Sequence, residues 1–107
     1  MSKRFHLVLH SHHDALHLLG KSKKKNFDII LNNTPNILKA IRILFQYILK
    51  DRFKMKSKHR KILKKHRTMI RKIAQGSDNS TKLAIQHGGS IFKTILNTVL
   101  PLLTALI

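Results

Sequence analysis

The apolar residues of this chain recur at helical spacing from one end to the other. Steps of three and four residues run through the first twenty positions, and Gly20 follows the last of them as a natural helix stop. The same spacing is strongest from Ile37 to Leu49, shortly after Thr34 and Pro35, a residue pair typical of a helix start. Apolar and polar residues alternate nowhere for more than a few positions, so the pattern predicts an all-α protein.

The second half of the chain predicts two helices of very different composition. Residues 58–74, which Ser57 can cap, place one apolar stripe on an otherwise cationic surface, whereas residues 90–107 place a wide apolar face beside a narrow polar strip. Shorter helical stretches are predicted at 27–31 and, from a cap at Ser80, through Gln86. We therefore expect a small bundle of four to five short helices, with a basic helix and an apolar C-terminal helix.

Charge divides the chain more sharply than apolar spacing does. Of the 22 Lys and Arg residues, twelve fall between positions 50 and 75, where Asp51 is the single acid. At 107 residues we expect one domain overall. Its four parts are an N-terminal helical region (1–50), a highly basic helix (51–76), a turn with a Gly-Gly linker (77–89) and an apolar amphipathic helix (90–107).

A formal net charge of +18 predicts a polyanionic partner, because self-repulsion opposes compaction until a partner neutralises it. Like charges four residues apart weaken a free helix, whereas the phosphates of duplex DNA release counterions to such a surface. The basic helix contains no Asn or Gln, and no zinc-finger or homeodomain pattern is present, so we expect binding without sequence preference. The simpler alternative is a solvated charged face. The predicted contacts are Lys58, Arg60, Lys61, Lys64, Lys65, Arg67, Arg71 and Lys72, with Lys21, Lys23, Lys24 and Lys25 as auxiliary contacts.

Histidines cluster in the first predicted helix. The pairs His6–His10 and His13–His17 are each four residues apart, so each pair shares one face of the helix. That spacing suits zinc or a pH-sensing role, and the simpler alternative is the polar face of an amphipathic helix. The four are weak metal candidates, and we predict no metal site. No histidine has a nucleophile or a second carboxylate beside it, and cysteine is absent, so we predict neither an enzyme nor a cofactor.

The tail from 90 to 107 is open to more than one interpretation. A membrane span needs about 20 apolar residues, whereas Lys93, Asn97 and Pro101 interrupt this shorter segment. The tail suits a helix lying in a bilayer interface, a segment buried against a partner, or the last helix of the core. The predicted membrane or partner contacts are Ile91, Phe92, Ile95, Leu96, Val99 and Leu103.

The order of these features resembles that of a known family. A Lys/Arg/His block is followed by Lys82-Leu-Ala-Ile-Gln-His-Gly-Gly89 and then by an apolar segment that contains Pro101-Leu-Leu. This order is similar to that of the precursor of mu, the small core protein of adenoviruses. It is more similar still to small proteins encoded by Maverick/Polinton and adintovirus-type elements. The resemblance covers roughly residues 35–107.

The resemblance implies a minor virion core protein that binds and condenses packaged double-stranded DNA. It implies a location in the virion and the host nucleus after synthesis in the cytosol, with capsid proteins and a viral cysteine protease as further partners. The implied cleavage site is Gly88-Gly89, although Gln86 stands where that protease favours Met, Ile or Leu. Alternatively, the glycine pair is a flexible break that lets the tail fold back.

The runner-up function is a membrane-active cationic protein. In that interpretation the basic block holds an anionic bilayer while the C-terminal helix inserts into it.

Overall fold

The computed structural model describes the backbone of residues 3–50 and 56–106, and the side chains of residues 11–50 and 56–102. Within these ranges the chain is helical and contains no strand, which confirms the all-α prediction. Residues 51–55 of the predicted basic part lie outside the description. The elements are α1 (Lys3–Lys21), a 3-10 turn (Lys24–Asn26), α2 (Phe27–Asn33), α3 (Ile37–Leu49), α4 (Ser57–Lys65), α5 (Arg67–Gln75), α6 (Asp78–His87) and α7 (Gly89–Leu106).

The described part of the chain has seven α-helices, so the prediction of four to five was wrong. One cause lies in the basic region, where α4 and α5 replace the single helix predicted over 58–74. They meet at His66, whose backbone (φ −107°, ψ 21°) leaves the helical region and whose N–H donates to the Leu63 carbonyl (3.2 Å). No acid lies between residues 57 and 75, so no ion pair offsets repulsion between cations one turn apart, and a break there costs little.

Three helix starts also differ from those predicted. Helix α4 begins at Ser57 itself, and its N-cap is Lys56, which makes no side-chain cap hydrogen bond, so the prediction that Ser57 caps the basic helix was wrong. Helix α6 is capped by Ser77 rather than Ser80, because the Ser77 hydroxyl accepts the Ser80 N–H (3.3 Å) while the Ser80 hydroxyl accepts the Ser77 N–H (2.8 Å). Helix α3 follows Asn36, which adopts the left-handed conformation (φ 63°) that asparagine tolerates better than most residues. Thr34 and Pro35 therefore lie in the turn before α3.

Helix α3 lies at the centre of the core. It packs most extensively on α5 and α1. The aromatic ring of Phe92 lies between two others, with its centroid 5.9 Å from that of Phe45 and 6.0 Å from that of Phe27. Such contacts add about 0.5–1.5 kcal/mol per pair to the effect of apolar burial. The rest of the buried core is formed by Leu16, Leu19, Ile30, Leu31, Ile37, Ile41, Leu44, Ile48, Leu63, Ile70, Ile73, Ala74, Ile85, Ile95, Leu96, Val99 and Leu100.

Helix α7 contributes one side of itself to this core. Four of the predicted membrane or partner contacts, Phe92, Ile95, Leu96 and Val99, are fully buried among the other helices. Ile91 is 39% exposed, and the Leu103 side chain lies outside the described residues. Across the contact with α1, the Asn97 side-chain amide donates to the Gly20 carbonyl (3.0 Å). In the part of the chain that the structure describes, no helix is both long and apolar enough to span a bilayer.

Candidate nucleic-acid interface

The predicted cationic contacts of the basic region all lie on the surface. All eight side chains on α4 and α5 are exposed, whereas the apolar faces of the two helices are buried through Leu63, Ile70 and Ile73. Neither helix carries an acidic residue. The two helices therefore present one sign of charge to solvent, and we call the eight side chains together the cationic face.

Helix α3 holds α5 in place through hydrogen bonds as well as apolar contacts. The Gln46 side chain donates to the Ala74 carbonyl (3.0 Å), and the Arg42 guanidinium donates to the Gly76 carbonyl (3.4 Å). Arg42 also forms an ion pair with Asp78 (2.7 Å), so it joins α3 to the end of α5 and the start of α6. These bonds satisfy carbonyl groups that a helix end leaves without partners, and they fix the orientation of the cationic face.

A groove with an apolar floor opens between α3, α4 and α5. Its volume is about 490 Å³. Ile48, Leu49, Leu63 and Ile70 form its apolar lining, and Arg60, Lys64 and Arg67 contribute the basic side chains. Part of the cationic face therefore borders a depression in which an anion is partly shielded from water, and such shielding strengthens its attraction to a cation.

A second groove, of about 370 Å³, lies between α5, α6 and α7, and we call it the histidine groove. It includes two histidines, His66 and His87, to which the sequence analysis assigned no contact. The lining consists of Lys65, His66, Thr68, Met69, Lys72, Ala84, His87, Gly88 and Ile91.

One of the four auxiliary lysines, Lys24, packs on the glycine pair whose first member lines the histidine groove. Lys21, Lys23, Lys24 and Lys25 are all exposed. The aliphatic stem of Lys24 crosses Gly89 so closely that a Cβ on this glycine would lie 2.8 Å from Lys24 Cγ. On the α5 side, a Cβ on Gly88 would lie 3.2 Å from the Met69 methyl group. The glycine pair thus lies between Lys24 and Met69. It brings residues 21–25, which we call the lysine loop, close to α5, and no local sequence pattern indicates this contact.

The predicted cleavage site is part of a folded helical joint. The Gly88 N–H donates to the Ala84 carbonyl (2.8 Å), and the Gly88 carbonyl accepts the Phe92 N–H (2.8 Å). Gly89 is buried and begins α7, and α6 occupies most of the predicted 77–89 linker. A protease that binds extended chain must first break these hydrogen bonds, so cleavage of the folded chain requires local opening.

The histidine cluster of α1 is described in part. The rings of His13 and His17 meet edge to face, with centroids 4.4 Å apart, and His13 Nδ1 lies 4.0 Å from the Asp14 carboxylate. Burial, with the charges of His13 and Lys21, lowers the pKa of His17 against the opposing effect of Asp14. The side chains of His6 and His10 lie outside the described residues. The described residues contain no group of three or more His, Asp or Glu side chains arranged to hold a metal ion.

Comparison of the chain with profiles of protein families, with curated proteins and with solved structures gave no match. The functional assignment therefore depends on the residues and their geometry. Among the surfaces described here, the cationic face and the histidine groove beside it carry the most distinctive chemistry.

Proposed function

We propose that this protein binds nucleic acid through its phosphates, without sequence preference, and condenses double-stranded DNA. The observation that supports this proposal is the cationic face, whose eight exposed Lys and Arg side chains lie on two helices that carry no acid. The resemblance to adenovirus-type core proteins extends the proposal to a minor virion protein, located in the virion and the host nucleus. Capsid proteins and a viral cysteine protease are further partners in this proposal.

The physical basis is counterion release. Duplex DNA carries about one phosphate charge per 1.7 Å of axis, and each phosphate that a lysine or arginine neutralises frees condensed counterions. Each nine-residue helix of the face is about 13 Å long, which is long enough to meet several phosphates. Arginine adds paired hydrogen bonds to phosphate oxygens, and lysine acts as a point charge. In this proposal α7 corresponds to the predicted apolar C-terminal helix. Its buried side lies in the core and supports the helices that carry the cationic face.

The proposed condensation of DNA depends on positive charge beyond the cations that contact any one segment of DNA. A molecule with a formal net charge of +18 neutralises DNA beyond the phosphates that its cationic face touches. The lysine loop at 21–25 supplies part of that excess. Neutralised duplexes repel each other less, so neighbouring segments of DNA can approach.

The alternative of a membrane-active protein has weaker support. An inserting helix exposes its apolar face to lipid, whereas Phe92, Ile95 and Leu96 are fully buried in the core. Insertion would require α7 to leave that core, at the free-energy cost of exposing several large side chains.

The proposal is tested by removing the same amount of charge from two different places. Fluorescence anisotropy with two unrelated 20-base-pair duplexes compares wild type with Lys61→Gln/Lys64→Gln, which neutralises two cations of the face. The matched control is Lys39→Gln/Lys82→Gln, which removes two cations from α3 and α6. We expect the face variant to bind both duplexes about tenfold more weakly and to lower the salt slope by about 2.

The control should bind within about twofold of wild type if location matters more than net charge. Equal losses in the two variants would show that binding follows net charge alone, and the cationic face would lose its role. A preference of more than about tenfold for one duplex would contradict binding without sequence preference.

A further inference from the structure

The histidine groove combines apolar and basic groups in one lining. Its apolar part consists of Met69, Ala84, Gly88 and Ile91. Its polar part consists of Lys65, Lys72, His66, His87 and the hydroxyl-bearing side chain of Thr68. A hydroxyl, two ammonium groups and two imidazoles in one groove are donors suited to the oxygens of a phosphate group.

No acidic side chain lines this groove. The aspartates that the structure describes have contacts elsewhere. The Asp28 carboxylate accepts the Gln86 amide (2.8 Å), Asp78 pairs with Arg42 (2.7 Å), and Asp14 lies beside His13 (4.0 Å). The charged side chains that line the groove are therefore all basic, which favours an anionic ligand.

The two imidazoles reach the groove from separate elements. His66 lies at the break between α4 and α5 and is half-buried, whereas His87 is the last residue of α6 and is exposed. Lys65 and Lys72 are the charged groups that α4 and α5 present beside them. The neighbouring residues of α6 and α7 that line the groove, Ala84, Gly88 and Ile91, are all uncharged.

Imidazole is the side chain whose charge changes between about pH 5 and pH 8. A protonated imidazole donates two N–H groups and carries a full positive charge, whereas a neutral one donates a single N–H group. A site that combines imidazoles with lysines therefore attracts an anion more strongly as the pH falls, whereas the charge of lysine and arginine does not change over this range.

We propose that the histidine groove binds a phosphodiester of the nucleic-acid backbone and that His66 and His87 are pH-dependent ligands of this phosphate. The protein then holds duplex DNA more tightly at pH 6 than at pH 8. This inference rests on the proposed function, because the groove adjoins the cationic face and extends it. It differs from that function in assigning a particular site and a dependence on pH.

The test measures the affinity of the full chain for a 20-base-pair duplex at pH 8 and pH 6, at one ionic strength. Wild type should bind about tenfold more tightly at pH 6, with a salt slope steeper by about 1 to 2. The readout is the ratio of the affinities at pH 6 and pH 8, which should fall from about tenfold in wild type to about twofold or less in His66→Gln/His87→Gln, because glutamine donates a hydrogen bond but gains no proton. The matched control His17→Gln/His59→Gln removes two histidines outside the groove and should keep the increase.

Circular dichroism at both pH values checks that each variant is folded, and His87→Gln alone serves as a second variant because this residue is exposed. His87→Gln should lose about half of the increase on a logarithmic scale. An increase that survives in the groove variant, or that disappears in the control, would overturn the proposed site. Absence of binding at either pH would instead overturn the proposed function.

A parallel arm replaces DNA with vesicles of phosphatidylcholine and phosphatidylglycerol, whose headgroup phosphate is the competing ligand. We expect the acid-dependent, His66- and His87-dependent increase with DNA. If only the vesicles showed it, the groove would bind a lipid phosphate, and its assignment to the nucleic-acid backbone would be wrong.

Discussion

At the scale of single residues, Phe92 shows how the C-terminal helix is held in the molecule. Its side chain is fully buried and contacts aromatic rings from α2 and α3, whereas its neighbour Ile91 is 39% exposed. Two adjacent apolar residues therefore have different surroundings, and this difference offers a direct comparison of core and surface positions within α7.

We predict that Phe92→Ala lowers the free energy of unfolding by about 3–5 kcal/mol, because it leaves a cavity beside two rings. The matched change Ile91→Ala should cost much less, about 1 kcal/mol, since Ile91 is smaller and 39% of it is already exposed to solvent. Urea denaturation followed by circular dichroism measures both. Similar losses in the two variants would mean that α7 does not pack as described.

His17 predicts a dependence of stability on pH. Its pKa is lowered from 6.5 by burial and by the charges of His13 and Lys21, so the folded state binds this proton less readily than the unfolded chain. The stability that depends on neutral His17 is therefore complete above pH 6.5. It is lost as the pH falls from 6.5 through the lowered pKa of the folded state.

Accordingly, acidification from pH 8 to pH 5 should reduce the free energy of unfolding of wild type by more than that of His17→Gln. Urea titrations at each pH compare the two chains, and an NMR titration of the imidazole gives its pKa directly. Equal losses, or an NMR pKa above the ordinary value, would contradict the assigned surroundings of His17.

At the scale of the elements, the joint between α6 and α7 is held by backbone hydrogen bonds, unlike the flexible break that the glycine pair suggests in the sequence. The Gly88 N–H and the Phe92 N–H each form a backbone hydrogen bond of 2.8 Å across it. We therefore predict that both amides exchange slowly with solvent deuterium, at rates close to those of core amides in α3. Amide exchange followed by NMR measures the rates. Exchange as fast as in an unstructured peptide would show an open joint, accessible to a protease.

Much of the helical pattern was predictable, because an apolar residue every third or fourth position is a local property of the chain. The break at His66 was not, since no Gly or Pro marks it. The Ser77 cap was missed because Ser80 occupies an equally suitable position three residues later. The exposure of the basic side chains could be predicted, because twelve of the 22 Lys and Arg residues fall between positions 50 and 75 with a single acid. The histidine groove requires α5, α6 and α7 to meet, and that depends on tertiary packing.

At the scale of the whole molecule, a large positive charge is confined to a small volume. The radius of gyration over Cα atoms is 12.6 Å, and the formal net charge is +18. Repulsion among these charges opposes the folded state, and any polyanion that binds the folded chain stabilises it by mass action. The same charge that weakens the free protein is thus the source of its affinity for DNA in the proposed function.

The salt dependence of DNA binding tests the central claim most directly. We predict that the logarithm of the association constant falls linearly with the logarithm of the salt concentration, with a slope of about −5 to −7 if most of the eight cations contact phosphates. Two unrelated 20-base-pair duplexes should give the same slope in fluorescence anisotropy at pH 8. A slope near zero would contradict binding through the phosphate backbone, as would different slopes for the two sequences.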